Sequence, residues 1–120
     1  MSKKTLVLGA SLRTDRYSNL VINRLVNNNH EVVAIGLRKG SVAGIDIQTE
    51  LIKFDDLDTV TLYLNPKRQS QYFEYIISLR PKRVIFNPGT ENPEFYQVLE
   101  EASIEVEVAC NLVLLSTNQY

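Results

Sequence analysis

The sequence predicts one doubly wound α/β domain, a mainly parallel sheet with helices on both faces. Three observations lead to that class. Short apolar runs rich in β-formers alternate with segments of helical periodicity. The runs are apolar almost throughout, as in strands covered on both faces. Each run then stops at a turn bearing glycine, asparagine or proline.

Thr5-Leu6-Val7-Leu8 is the first strand, and it breaks at Gly9-Ala10-Ser11. Tyr17, Leu20, Val21, Leu25 and Val26 then fall on one helical face. Asn27-Asn28-Asn29 ends that helix, because asparagine tolerates the left-handed cap conformation. Glu31 to Ile35 is the second strand, followed by a basic loop, Gly36-Leu37-Arg38-Lys39-Gly40-Ser41. Alternation over Ile45 to Ile52 predicts a short edge strand. Thr59 to Leu64 is a further strand, closed by Asn65-Pro66, and a helix is expected from Pro66 to Leu79. Arg80-Pro81 stops it. Val84-Ile85-Phe86 is a buried strand ending at Asn87-Pro88-Gly89. Asn92-Pro93 starts a helix with Asn as cap and Pro at its first position; Phe95, Val98, Leu99 and Ala102 form its inner stripe. Val106 to Cys110 is the last strand, and Ser116 to Tyr120 reads as a polar tail.

Composition narrows the function. A chain of 120 residues accommodates one domain, 1–120, and leaves no room for a separate substrate domain. Thirteen Lys and Arg against 14 Asp and Glu give a net charge of −1, which argues against a dedicated nucleic-acid binder. No apolar run is long enough to span a membrane and no leader pattern opens the chain, so a soluble, cytoplasmic protein is expected. One cysteine, Cys110, and one histidine, His30, leave no cysteine-rich or histidine-based metal centre.

In open α/β sheets, ligands bind beyond the carboxyl ends of the strands. The candidate site therefore gathers Gly9, Ala10, Ser11, Arg13, Arg16 and Ser18 from the first turn and helix start, Arg38 and Lys39, Asn65 and Pro66, and Asn87 and Gly89. A strand that breaks at small residues and feeds a helix suits a phosphate, because helix-start N–H groups are unpaired and carry partial positive charge. Arg13 and Arg16 stand at that positive helix end, where arginine is disfavoured unless it faces an anion; Asp15 between them is an alternative partner. The glycine fingerprint is incomplete: Gly9-Ala10-Ser11-Leu12-Arg13-Thr14 replaces G-x-G-x-x-G. An NAD site places an acid at the end of the second strand, whereas this chain has Arg38 and Lys39, which suit a phosphorylated ribose as in NADP or coenzyme A. No catalytic constellation assembles. Cys110 reads as a core cysteine, the alternative being a nucleophile without an activating partner; Glu91 stands alone, and His30 lies away from the site.

Gly9-Ala10-Ser11 with Arg16 and Ser18, the His30-Glu31-Val32 strand entry, Phe86 to Asn92 and Cys110-Asn111-Leu112 together resemble the small CoA-binding proteins. Their Rossmann-like domain recurs in succinyl-CoA synthetase. The resemblance covers nearly the whole chain. It implies coenzyme A or an acyl-CoA bound at the strand ends without intrinsic catalysis, with Gly9, Ala10 and Ser11 under the pyrophosphate and Arg16 nearby. Arg38 and Lys39 would face the phosphorylated ribose, and Asn65 and Pro66 would flank the adenosine or pantetheine. Thr14 replaces an expected proline, and Asn29 an expected glycine. The alternatives are a minimal NADP-dependent oxidoreductase or a subunit of an acyl-CoA ligase. The partner is thus a small molecule, with no nucleic acid or membrane expected.

Overall fold

A computed structural model describes residues 2–120. The strands are β1 (Thr5–Ala10), β2 (Val32–Gly36), β3 (Gly40–Val42), β4 (Ile45–Gln48), β5 (Thr59–Leu62), β6 (Arg83–Phe86) and β7 (Glu105–Val108). The helices are α1 (Tyr17–Asn27), α2 (Pro66–Gln69), α3 (Phe73–Leu79), α4 (Pro93–Glu101) and α5 (Asn111–Ser116), with a 3₁₀ turn over Ser70–Tyr72. The sheet runs β3-β4-β2-β1-β5-β6-β7 and is parallel except for the β3–β4 pair. This is the doubly wound α/β class. The order reverses at β1, which pairs with β2 on one side and β5 on the other.

The alternation of side chains along each strand supplies two cores. On one face Leu6, Leu8, Val60, Leu62, Val84 and Phe86 pack against Ile76 and Leu79 of α3 and Phe95 and Leu99 of α4. Phe86 meets Phe95 and Tyr96 edge-on, with ring centroids 5.6 and 4.6 Å apart. On the other face Val7, Ala10, Val32 and Ala34 pack against Val21, Ile22 and Leu25 of α1 and Leu115 of α5.

Local chemistry sets the boundaries. Asn92 caps α4 by accepting from the Phe95 N–H, with Pro93 in the first turn. Asn29 adopts φ 64°, the left-handed conformation that a glycine would otherwise supply. This accounts for that departure from the family pattern.

Five expectations need correction. The basic loop does not run through Ser41: Gly40–Val42 forms β3 and takes the sheet edge from β4, which itself ends at Gln48 rather than Ile52. Ala43 and Gly44, both at positive φ, make the two-residue turn that matches the twist of the antiparallel pair. On α1 the inward face is Ser18, Val21, Ile22 and Leu25, while Tyr17 and Leu20 are exposed because the first turn overhangs the sheet's carboxyl edge. The helix expected from Pro66 to Leu79 is broken at Ser70–Tyr72: Gln69 is drawn inward to donate to the Leu64 and Thr90 carbonyls, while Ile76 and Leu79 pack on the sheet. The last strand stops at Val108, and Asn111–Ser116 is α5.

The polar tail also docks. Tyr120 hydrogen-bonds Thr5, stacks edge-on against His30 and lies under the Arg83 guanidinium, 4.6 Å from its ring centre. His30 Nδ1 accepts from the Lys3 N–H at 2.9 Å. Burial, and then the positive charge of Lys3, lower the His30 pKa below 6.5. The unfolded chain therefore binds the proton more readily, and stability falls as pH drops below 6.5. The urea midpoint should decrease between pH 7.5 and 5.5, and His30→Gln should flatten that decrease. An unchanged slope in the variant would assign the acid sensitivity elsewhere.

Candidate functional site

The site begins where β1 stops. Gly9 has φ 95°, and a Cβ there would sit 2.8 Å from the Tyr63 carbonyl oxygen. Only glycine permits that close approach with that conformation. The pairing register with β2 shifts between Leu8 and Ala10, so the chain kinks at Gly9 as it leaves the sheet. Gly36, at the end of β2, is under the same constraint: a Cβ would lie 2.2 Å from the Ala10 carbonyl oxygen. The strand ends on both sides of β1 are thus drawn tightly onto it.

The turn that follows is tied down from the helix. Asn19, nearly buried, donates through Nδ2 to the Ser11 carbonyl at 3.0 Å. The Ser11 hydroxyl accepts from the Arg13 N–H at 3.1 Å. The residue in the N-cap position of α1 is Arg16, whose side chain provides no acceptor, and the first turn holds no acid. The N–H groups of Tyr17 and Ser18 therefore open the helix without a side-chain cap. That end is a fixed region of positive potential.

Two adjoining hollows surround it, with volumes of about 280 and 400 Å³, in the range of small-molecule pockets. Gly9, Ser18, Tyr63, Leu64 and Arg68 line the first, and Leu12, Arg13 and Arg38 the second; Ser11, Arg16 and Leu37 are shared. Leu12 and Leu37 are exposed, at 43% and 69%, giving the rim an apolar surface beside its cations. Arg13 pairs with Asp15 at 3.0 Å, with both side chains in solvent, so Asp15 does serve as its partner. Among the described residues Arg16, Arg38 and Arg68 form no ion pair.

The hollows therefore bring together Gly9, Ser11, Arg13, Arg16, Ser18 and Arg38 of the residues read from sequence. Ala10 is not at the surface: its side chain is 7% exposed and packs into the α1 core. Lys39 is exposed beside Arg38 and lines neither hollow. Asn65 caps α2 through its side-chain oxygen and Pro66 opens that helix, so both stand behind Arg68. Asn87 is a buried bracket. It donates to the Thr61 hydroxyl and the Leu62 carbonyl and accepts from the Asn111 N–H, leaving no group for a ligand. Gly89 is exposed and donates its N–H to Glu91. Cys110, half-buried, occupies the N-cap position of α5. His30 lies with Tyr120 and Lys3 at the opposite, amino end of the strands.

Sequence reasoning missed Leu12, Tyr17, Leu37, Tyr63, Leu64 and Arg68. Arg68 carried a usable signal, a cation in the first turn after a strand-ending Asn-Pro. Tyr63 did not. Its hydroxyl is buried without a hydrogen-bond partner among the described residues, and burial pushes its pKa up.

A parallel sheet that reverses order beside an uncapped helix start is an arrangement that many nucleotide-binding α/β domains share. The CoA binding domain family matches residues 3–116, and the chain belongs to that family. The chain is similar over its full length to an uncharacterized protein of known crystal structure, at 48% identity and TM-score 0.97, covering 99% of that chain. A protein from Thermus thermophilus, cell-free ID.343, shares 23% identity, with TM-score 0.86 over 99% of this chain and 91% of that one. A hypothetical protein from Pyrococcus horikoshii OT3 shares 24%, with TM-score 0.87 over 98% and 84%. These two likenesses show the fold. No curated protein matches the chain. No helix among the described residues is long and apolar enough to cross a membrane.

Because Ala10 faces the core, enlarging it acts on the fold before it acts on any ligand. Ala10→Phe should destabilise the unliganded protein by about 1–3 kcal/mol through overpacking against α1, measured by urea unfolding. An unchanged midpoint would place this side chain outside the core.

Proposed function

We propose that the chain binds coenzyme A, free or acylated, in the crevice at the carboxyl ends of β1, β2 and β5, and that it does so without turnover. The observation that carries this reading is the uncapped start of α1, flanked by Arg16 and Arg68, which form no ion pair among the described residues, at the reversal of strand order in a chain of the CoA binding domain family. The diphosphate lies against the Tyr17 and Ser18 N–H groups and Arg16. Arg38 faces the phosphorylated ribose, where an NAD-type site would carry an acid, and Lys39 adds its charge from the solvent side of the same loop. Leu12 and Leu37 provide apolar contact for the uncharged parts of the ligand. In support of binding alone, the crevice lining holds no carboxylate, histidine or thiol in position to move a proton or attack a carbonyl.

The testing experiment compares CoA with dephospho-CoA by calorimetric titration, in wild type and in Arg38→Ala/Lys39→Ala. A charge-assisted contact contributes on the order of 1.5–3 kcal/mol, so wild type should prefer CoA by about tenfold to a hundredfold. The double variant should nearly lose that preference. Equal binding of both ligands by wild type would make the Arg38 loop a solvated turn. In the same samples acetyl-CoA should release thiol at the background rate. Release that disappears in Cys110→Ser would make Cys110 a nucleophile and the protein an enzyme.

A further inference from the structure

We propose that Arg68 is a diphosphate-binding residue of this crevice, reaching the ligand's diphosphate from the wall opposite Arg16. The inference deepens the reading above and rests on it for the identity of the ligand. β1 and β5 are adjacent, and the Tyr63 N–H donates to the Leu8 carbonyl at 2.9 Å just past the end of β5. The chain after β1 turns onto one face of the sheet as α1, and the chain after β5 turns onto the other through α2 and α3. Arg16 and Arg68 therefore approach the same hollow from its two walls.

Two further observations point to a ligand between them. Ser18, in the uncapped first turn of α1, is only 4% exposed, and what remains opens onto the hollow; its hydroxyl enters no hydrogen bond among the described residues. Arg68 is exposed at the same hollow and pairs with no carboxylate among the described residues, so its guanidinium is available to an anion there.

The base of Arg68 is also unusually well held. Its N–H is bonded at the Asn65 cap. The next residue, Gln69, is 1% exposed; it donates to the Leu64 carbonyl at 2.8 Å and the Thr90 carbonyl at 2.7 Å, and its oxygen accepts from Asn92 at 3.0 Å. This network fixes the backbone of α2 while the guanidinium remains free to move. A planar guanidinium on a rigid base suits bidentate contact with phosphate oxygens. Arg38 approaches from the neighbouring hollow, beyond the β1–β2 side, so the two arginines address different phosphates.

The test titrates CoA, dephospho-CoA and inorganic pyrophosphate into wild type, Arg68→Gln, Arg38→Gln and, as a control for net charge, Arg24→Gln on the far turn of α1. Arg68→Gln should weaken all three ligands by a common factor of about tenfold, while Arg38→Gln weakens CoA alone and Arg24→Gln changes nothing. Wild-type affinities in Arg68→Gln, or a loss confined to CoA, overturn the assignment. So does a wild type that takes neither CoA nor pyrophosphate. Arg68-dependent pyrophosphate binding without any CoA binding would uphold the diphosphate contact and reject the CoA reading.

Discussion

The contact between Gly9 and the Tyr63 carbonyl is the constraint on which the crevice depends. Because no side chain fits there, the backbones of β1 and the chain after β5 stay in close contact just past the Leu8–Leu62 pair, and β1 bends at Gly9 with φ 95° rather than continuing straight. That kink sends the chain toward α1, whose Asn19 reaches back to hold the Ser11 carbonyl. The uncapped helix start is thereby fixed relative to both strand ends. A side chain at Gly9 would separate β1 from β5, and the two walls of the crevice would lose their common reference.

A second set of buried polar groups supports the opposite wall. Asn87 ties β5, β6 and the start of α5 together, and Gln69 ties α2 to the segments after β5 and β6. Such side chains are well satisfied and so costly to disturb, since each broken bond would leave a buried donor or acceptor without a partner. The free cations, by contrast, stand at the solvent edge. The division of labour is clear: buried amides position the loops, and exposed guanidinium groups are left for an anion.

Much of this was legible in the sequence. β1 and β6 declare themselves through apolar runs and β5 through its β-branched Thr59-Val60-Thr61 run, and Asn92-Pro93 marks the start of α4 through cap chemistry. The first-turn residues Gly9, Ser11, Arg16 and Ser18 followed from strand–turn–helix order, from the charge of a helix start and from the resemblance to the small CoA-binding proteins. What failed did so for identifiable reasons. β3 is too short to show a period, and α5 is a six-residue helix with only four apolar residues, separated from the preceding strand by just two residues. Ala10, read as a turn residue, is the last residue of β1, and Asn87 follows β6; sequence does not say which way a residue at a strand end points, and both point inward. The contributions of Arg68 and Leu37 depend on which strands become neighbours, and that becomes visible only with the sheet order.

The central claim is that coenzyme A occupies the carboxyl-end crevice, and backbone amide shifts on titration with CoA test it most directly. The account predicts saturable shifts centred on residues 9–18, 37–39 and 63–68, with His30 and residues 118–120 at the far end of the strands unmoved. Shifts concentrated at that far end, or none up to millimolar CoA, would contradict it.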